Sequence, residues 1–198
     1  MREAEDFFRW VVPYARAVSD PVASRHIIDA ARDFCEATRC WREVDEIAVS
    51  GEEAEVVCVP PYASLFEIEA ASFDGRPLDR VAWLDTDSTG GLPSQITQAQ
   101  PQSVSIAPRG ACGMLSISMF LEPAQDADVL PDFLFEQFGQ SIAKGALASL
   151  LLLPDQPFTN PGLATLNAQM FGQAKDRNFA HNRRGQQRAP LRTRPQYF

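Results

Sequence analysis

The spacing of apolar residues changes twice along this chain of 198 residues. Over about 21–41, apolar side chains recur every three or four positions, which is typical of one face of a helix. Over about 44–120 they fall in short runs separated by turn residues, which is typical of β-strands. Helical spacing returns over 130–153 and again over about 161–183. Because an amphipathic face is not left in water, we expect the helices from both ends to pack together around an inserted β-module.

Turn and cap residues support these boundaries. Asp20-Pro21 and Asn160-Pro161 each place a capping side chain before a proline that suits the first helical position. The segment over about 6–16 is rich in aromatic residues and contains a proline, so we expect a short helix or turn with aromatic anchors. The fold class predicted is α+β: a helical bundle with an inserted antiparallel β-module and an extended basic C-terminal tail.

The β-module is predicted to contain about five or six strands. Asp74-Gly75 is a hairpin signal between two of them. The alternation of Leu115, Ile117 and Met119 with Ser116, Ser118 and Phe120 indicates a half-buried strand. The stretch over 85–102 is rich in glycine, serine, threonine, glutamine and proline, and we interpret it as a polar loop. The strand-like runs are 47–49, 55–59, 65–73, 80–84, 103–107 and 114–120.

Composition and cysteine usage favour a soluble, cytoplasm-made protein. Hydrophobic residues make up 45% and charged residues 22%, which is ordinary for a globular domain. The N-terminus begins acidic and lacks the apolar run of a signal peptide. The longest apolar stretch, about 146–153, is far too short to span a bilayer. The cysteines contain no CxxC pair, so we expect buried thiols without disulfides or zinc; they are Cys35, Cys40, Cys58 and Cys112.

The C-terminal segment has the opposite charge to the rest of the chain. Residues 175–198 contain seven basic residues and one acid, so they carry +6, which leaves −14 for residues 1–174 out of a total of −8. A segment of this composition does not build a core of its own. We therefore expect an extended docking tail over 184–198. Its candidate partner-docking residues are Arg183, Arg184, Arg188, Arg192, Arg194, Tyr197 and Phe198.

Three interpretations of the basic tail stay open. It could neutralise nucleic-acid phosphates, although a body at −14 repels DNA. It could instead dock into an acidic groove on a protein, because arginine makes bidentate contacts with carboxylates and an aromatic end can anchor. It could also be an unstructured tail that only promotes solubility. No amphipathic basic helix extends from it, so we expect no membrane binding.

No complete catalytic constellation stands out in the sequence. His26 and Cys35 could in principle form a nucleophile–base pair, but nine helical positions separate them by about 13 Å along the axis. His181 lies among polar and basic residues near a helix end. Asp85 and Asp87 flank Thr86 and could bind a cation weakly, although such a loop pair is usually solvated. We therefore predict no enzymatic activity, no cofactor and no metal site.

Several stretches resemble the head–tail adaptor (connector, neck) proteins of tailed phages. The first is the pattern DAAxxFCExTxxW over 29–41. The second is DGRPL over 74–78, within the β-module. The third is LPDFLFE over 130–136, followed by IAKGAL over 142–147. The fourth is the arginine-rich C-terminus, so that the resemblance covers nearly the whole chain.

The resemblance implies a non-enzymatic virion protein of the neck, assembled in the host cytoplasm. Such a protein would form a homo-oligomeric ring of twelve copies beneath the portal. The resemblance places a single adaptor domain over 1–183, with its C-terminal tail docked on the portal protein. The other face would receive a stopper, a nozzle or a tail-completion protein. DNA would pass through the ring without specific binding.

Features of the chain itself agree with such a ring. Small residues suit close subunit packing; they are Gly139, Gly145, Ala146 and Ala148. An acidic ring would let DNA pass without sticking, because like charges repel. The alternatives are a tail-completion, terminator or stopper-type protein of the neck, and a nucleic-acid-binding protein.

Overall fold

The structure, a computed structural model, describes residues 1–51, 55–82 and 90–179. Within these ranges the chain has a mixed α+β fold with four α-helices and sheets that are antiparallel except for one pair of strands. In chain order the elements are β1 (Arg2–Glu3), a 3-10 helix (Ala4–Phe7), α1 (Phe8–Val11), α2 (Asp20–Thr38), β2 (Arg42–Val49), β3 (Val56–Val57), β4 (Ala63–Phe73), β5 (Arg76–Pro77), β6 (Asp79–Arg80), β7 (Gln95–Gln100), β8 (Ser103–Ala107), β9 (Gly113–Pro123), β10 (Val129–Leu130), α3 (Asp132–Leu150) and α4 (Pro161–Asn178).

Two four-stranded sheets form the β-region. The first has the order β2-β9-β4-β5, and all its neighbours are antiparallel. Its central pairing sets Ala63 opposite Pro123 and Phe73 opposite Leu115. The second has the order β3-β8-β7-β6, in which β6 runs parallel to β7. The short strands β1 and β10 pair with each other and hold the N-terminus beside the start of α3.

The helices from the two ends of the sequence pack together. α2 contacts both α3 and α4, and it also lies against β9. Phe34 of α2 is fully buried, and its ring centroid lies 4.9 Å from that of Phe138 and 6.1 Å from that of Phe171. These three aromatic rings come from three different helices. The contact that the amphipathic face of α2 predicts is therefore present.

One apolar core connects the helices to both sheets. Leu115, Ile117 and Met119 on β9 are buried, whereas Ser116 and Ser118 between them are only half-buried, which confirms the predicted alternation as far as Met119. Phe120 departs from it, because this side chain is buried as well, at 4% exposure. The largest fully buried side chains are Phe7, Phe34, Phe73, Ile27, Ile96, Leu115, Ile117, Met119, Leu121, Leu130, Leu134 and Ile142.

The aromatic N-terminal segment folds as predicted, into a 3-10 helix and one short α-helix. Phe7 meets Phe135 edge-on, with ring centroids 5.3 Å apart. Trp10 also reaches Phe135, at 5.0 Å. The indole comes so close to α3 that a Cβ at Gly139 would lie 2.7 Å from it. Gly139 therefore makes room for an aromatic ring of this same chain.

The small residues of α3 thus serve packing inside the subunit. A Cβ at Gly145 would lie 2.9 Å from the Phe171 ring and 3.0 Å from the Cβ of Ala30. Ala146 is fully buried in the same helix. Gly139 and Gly145 were predicted to allow the close approach of another helix or another subunit. The structure shows the close approach of other helices of the same chain: α1 at Gly139, and α2 and α4 at Gly145.

α2 ends three residues before the predicted boundary at 41. It stops at Thr38 because Arg39 adopts a left-handed conformation with φ 53°, and its amide donates to Cys35 O. Glycine is the usual residue at such a position, so this stop has no strong sequence signal. Trp41 then lies outside the helix, and its carbonyl accepts from the amide of Leu121 at 2.9 Å.

The polar loop predicted over 85–102 is wrong in its second half. Gln95–Gln100 forms β7, which pairs with β8. Ile96 is its only fully buried apolar side chain, so the strand shows almost no apolar alternation. One of its polar side chains, that of Gln98, donates to Leu65 O on β4 at 2.6 Å. The β-module also has more strands than the five or six predicted, with eight between Arg42 and Pro123 in the part described.

The remaining boundary predictions have mixed outcomes. The hairpin at Asp74-Gly75 is confirmed between β4 and β5. Asn160 caps α4 as predicted, because its side chain accepts from the amide of Leu163 at 3.0 Å. Asp20 does not cap α2: it lies in the first turn, and the cap residue, Ser19, makes no side-chain cap hydrogen bond. α4 ends at Asn178, before the predicted end near 183.

Candidate interaction surfaces

The candidate docking residues of the C-terminal tail all lie outside the described residues. They are Arg183, Arg184, Arg188, Arg192, Arg194, Tyr197 and Phe198. The structure does describe where that segment begins. Lys175, in the last turns of α4, donates to both carboxylate oxygens of Asp33 on α2, at 2.8 and 2.9 Å, and lies 4.8 Å above the Phe171 ring. The basic segment therefore follows a helix end that is fastened to α2.

His26 and Cys35, which the sequence analysis considered as a nucleophile–base pair, contact different partners in the structure. His26 is half-buried, and its Nδ1 lies 2.7 Å from Ser149 Oγ on α3. Burial lowers the pKa of His26, which favours the neutral imidazole. Cys35 is fully buried with Cys40 as its neighbour, their sulfurs 3.9 Å apart. Burial raises the pKa of Cys35 well above its usual range, so that its thiol stays protonated.

The structure describes only some of the other candidate residues. Asp85, Asp87 and His181 lie outside the described residues. Cys40 and Cys58 are buried, as predicted. Cys112 is exposed, so the prediction that all four thiols are buried is wrong for it; its thiol donates to Ser50 O at 2.9 Å.

Across 1–51, 55–82 and 90–179, no three His, Cys, Asp or Glu side chains come together in a way that could hold a metal ion. None of the helices within the same ranges is long and apolar enough to cross a bilayer.

An acidic depression of about 570 Å³ lies where the N-terminal segment, the start of α2 and the β9–β10 connection meet. The one cation in its lining is Arg25, which donates to Gln125 O at 2.6 Å and pairs with Asp29. The five carboxylates in the lining therefore outnumber the positive charge. They are Glu3, Glu5, Asp20, Asp126 and Asp128.

An apolar groove of about 510 Å³ lies between the N-terminal segment, α3 and α4. Arg9 and Lys144 are the only charged residues in its lining. Three of its apolar side chains are substantially exposed: Tyr14 at 58%, Leu166 at 48% and Met170 at 40%. The apolar groove is lined chiefly by Trp10, Tyr14, Leu147, Leu163, Leu166 and Met170.

Sequence reasoning missed this groove, although a signal for it was present. The helix predicted from 161 has a stripe that includes Leu166, Met170 and Phe171. Only Phe171 of these three is buried in the core. The stripe is therefore wider than the face that α4 packs against α2 and α3. An apolar stripe wider than one packing face is the sequence signal for a second contact.

A partly buried contact between Arg32 and Glu122 joins the helices to the central sheet. Arg32 of α2 donates from Nη2 to Oε1 of Glu122 on β9 at 2.6 Å, and the Glu122 side chain is only 7% exposed. Burial is the main reason that the pKa of Glu122 is raised to about 7, and the neighbouring Glu36 carboxyl adds to the rise. The pair was not among the residues that the sequence singled out.

Neither of two comparisons with known proteins places the chain in a family: no protein-family model matches it, and no curated protein matches it either.

Proposed function

We propose that this chain is a non-enzymatic structural virion protein of the tailed-phage neck, of the head–tail adaptor kind. Twelve copies would form a ring that connects the portal to the tail and lines the DNA passage. The C-terminal tail would dock on the portal protein. The opposite face would receive a stopper, a nozzle or a tail-completion protein.

The observation that carries this proposal is the division of charge along the chain. Residues 1–174 carry −14, and residues 175–198 carry +6. The basic residues follow α4, whose end the Lys175–Asp33 ion pair fastens to α2. A basic segment that begins at a fixed point on an acidic body suits a docking arm for an acidic partner. All five cations after residue 179 are arginines, which bind carboxylates in bidentate fashion.

The acidic body also suits a passage for DNA. A surface with an excess of carboxylates repels phosphates, so that DNA finds no binding sites along it. The acidic depression, with five carboxylates and one arginine in its lining, is one part of such a surface. In a ring, weak contacts of the individual tails would add up through avidity.

In the proposed ring, α2, α3 and α4 act as the helical bundle. The β-module is inserted between α2 and α3. Residues 184–198 would be an extended tail that becomes ordered on the portal. The adaptor domain would then cover 1–183.

Removal of the tail tests the proposal. We expect a variant that lacks residues 183–198 to lose binding to portal rings of the same phage, measured by co-sedimentation, while its circular dichroism and thermal unfolding stay unchanged. A full-length variant with all five arginines of residues 183–198 changed to glutamine should also lose binding, because it lacks the charge-assisted contacts. Binding by the wild type should weaken with added salt.

The control is full-length protein with Tyr197 and Phe198 changed to alanine, which separates the aromatic anchor from the charge. A truncated protein that binds the portal as well as the wild type does would contradict the proposal. Sixfold rings that bind the tail tube instead of the portal would indicate a tail-completion or terminator protein. Particle imaging that shows whether this chain lies directly below the portal distinguishes the two.

A further inference from the structure

The apolar groove combines exposed apolar side chains with a positive edge, although the body around it is strongly acidic. Its lining contains no carboxylate, and its two charged residues are Arg9 and Lys144. Neither cation forms a salt bridge within the part of the chain that the structure describes. Arg9 lies 5.3 Å from the ring of Trp10. An occupant that matches this groove needs apolar side chains to contact its apolar lining and carboxylates to contact its two cations.

The dimensions of the groove indicate how much of a partner it receives. On α4 the lining runs from Leu163 to Met170, and on α3 it runs from Gln140 to Leu147. Each run covers seven residue steps, or about 10 Å along a helix axis. That length corresponds to two turns of a bound helix, which would present apolar anchors at positions i, i+3 or i+4, and i+7.

The walls of the groove favour recognition through side chains. Two of them are the helices α3 and α4, whose backbone amides and carbonyls already bond within each helix, so these walls offer no open edge to an added strand. An amphipathic helix satisfies its own backbone and presents one apolar stripe. The helix-in-groove mode therefore fits these walls better than strand addition does.

Two other occupants within this protein fit less well. Residues 180–198 contain five arginines and no acid, so Arg9 and Lys144 would repel them. A symmetric contact between the grooves of two copies would bring Arg9 and Lys144 of both copies together. Like charges across an interface oppose association.

We propose that the apolar groove is the docking site for an acidic amphipathic helix of a partner protein, held by apolar contacts with Leu166 and Met170 and by carboxylate contacts with Arg9 and Lys144. The inference is independent of the neck function, because it depends only on the chemistry of the groove.

A pair of synthetic peptides tests this assignment on the full-length protein. Both are labelled, capped peptides of 14 residues with leucines at positions 3, 6, 7 and 10. The remaining positions are alanine and glutamate in one peptide, and alanine and lysine in the other. We expect fluorescence anisotropy to show that the glutamate peptide binds at least about tenfold more tightly than the lysine peptide, which corresponds to about 1.4 kcal/mol.

Matched protein variants locate the binding. Arg9→Glu combined with Lys144→Glu should invert the preference between the two peptides. Leu166→Gln, at an exposed position, should weaken both peptides by about tenfold. Leu152→Gln is the control, because Leu152 is 58% exposed but does not line the groove. It should leave both affinities unchanged.

Several outcomes would overturn the proposal. Equal binding of both peptides, or no binding of either, would show that the groove does not select an acidic helix. An equal loss of affinity in Leu152→Gln and Leu166→Gln would place the binding elsewhere. Self-association of the wild type that Leu166→Gln abolishes, in sedimentation equilibrium, would assign the groove to a second copy.

Discussion

Glu122 shows how a single buried residue can make stability depend on pH. It lies on the central strand β9, accepts a hydrogen bond from Arg32 at 2.6 Å, and is nearly inaccessible to solvent. Replacing one partner of such a pair with an apolar residue is costly, because the remaining charge stays buried without a partner. The position therefore links the helices to the sheet through electrostatics as well as packing.

We expect Glu122→Gln to remove part of the pH dependence of stability. Burial raises the pKa of Glu122 from its ordinary value of 4.5 to about 7 in the folded state. Between these values the folded protein retains a proton that the unfolded chain releases, so the wild-type free energy of unfolding falls as pH rises from 4.5 to 7. Glutamine stays neutral, and its amide oxygen can still accept from Arg32. The variant should lose this decline.

Urea unfolding at pH 5, 6, 7 and 8 measures the effect as the difference between wild type and variant. Glu136→Gln is the matched control, because Glu136 is exposed on α3. A slope with pH that is identical in the wild type and in Glu122→Gln would show that Glu122 ionises normally in the folded protein.

At the scale of elements, the sequence predicts a helix or strand well where many residues share one apolar pattern. It predicts poorly a feature that depends on a single residue. The helical spacing after Asp20 predicts α2 because many apolar side chains recur on the same face of the helix. The end of α2 depends on one residue, Arg39, in a left-handed conformation that its residue type does not favour. β7 is missed because its pairing with β8 comes from backbone hydrogen bonds, with Ile96 as the only fully buried apolar residue.

The same difference applies to the candidate surfaces: the sequence shows a feature that lies within one segment but not one that several elements form together. The charge of the tail can be counted, so the sequence shows directly that residues 180–198 are basic. The apolar groove needs Trp10, Lys144 and Met170 from three separate elements. The wide apolar stripe of α4 signals a second contact, but no local pattern relates Trp10 and Lys144 to it, and only the packing of the N-terminal segment against α3 and α4 brings the three residues together. The Arg32–Glu122 pair is missed for the same reason.

The packing of α3 against α2 and α4 can be tested at two glycines. We expect substitution by alanine to change the stability of the protein in opposite directions at Gly145 and Gly172. Helix propensity alone predicts that either Gly145→Ala or Gly172→Ala stabilises the protein by about 1 kcal/mol. A Cβ at Gly145 would lie 2.9 Å from the Phe171 ring and 3.0 Å from Ala30. Overpacking of this kind costs about 1–3 kcal/mol, so we expect Gly145→Ala to be destabilising overall.

Gly172 is the matched position, because nothing lies within 4 Å of a Cβ placed there. Gly172→Ala should therefore raise the melting temperature, whereas Gly145→Ala should lower it, both measured by thermal unfolding. A stabilised Gly145→Ala variant would mean that α2, α3 and α4 are less tightly packed than the structure shows.

At the scale of the whole molecule, the opposite charges of body and tail lead to a prediction about DNA. The peptide of residues 180–198 carries five arginines and no acid. The affinity of this peptide for duplex DNA should fall as salt is added. If all five arginines contact phosphates, a plot of log affinity against log salt concentration should have a slope of about −4.5. In the full-length chain the same arginines belong to a molecule with a net charge of −8. Its acidic body repels DNA and competes for the arginines.

We therefore expect the isolated peptide to bind duplex DNA at low salt and the full-length protein to bind at least about tenfold more weakly under the same conditions. Fluorescence anisotropy over a salt series measures both affinities. A peptide of the same composition in scrambled order is the control, since phosphate neutralisation depends on charge and not on sequence. Full-length protein that binds DNA as tightly as the peptide does would favour a nucleic-acid-binding function. Weak binding by the full-length protein leaves the arginines available for an acidic protein surface, which is what a portal-docking arm requires.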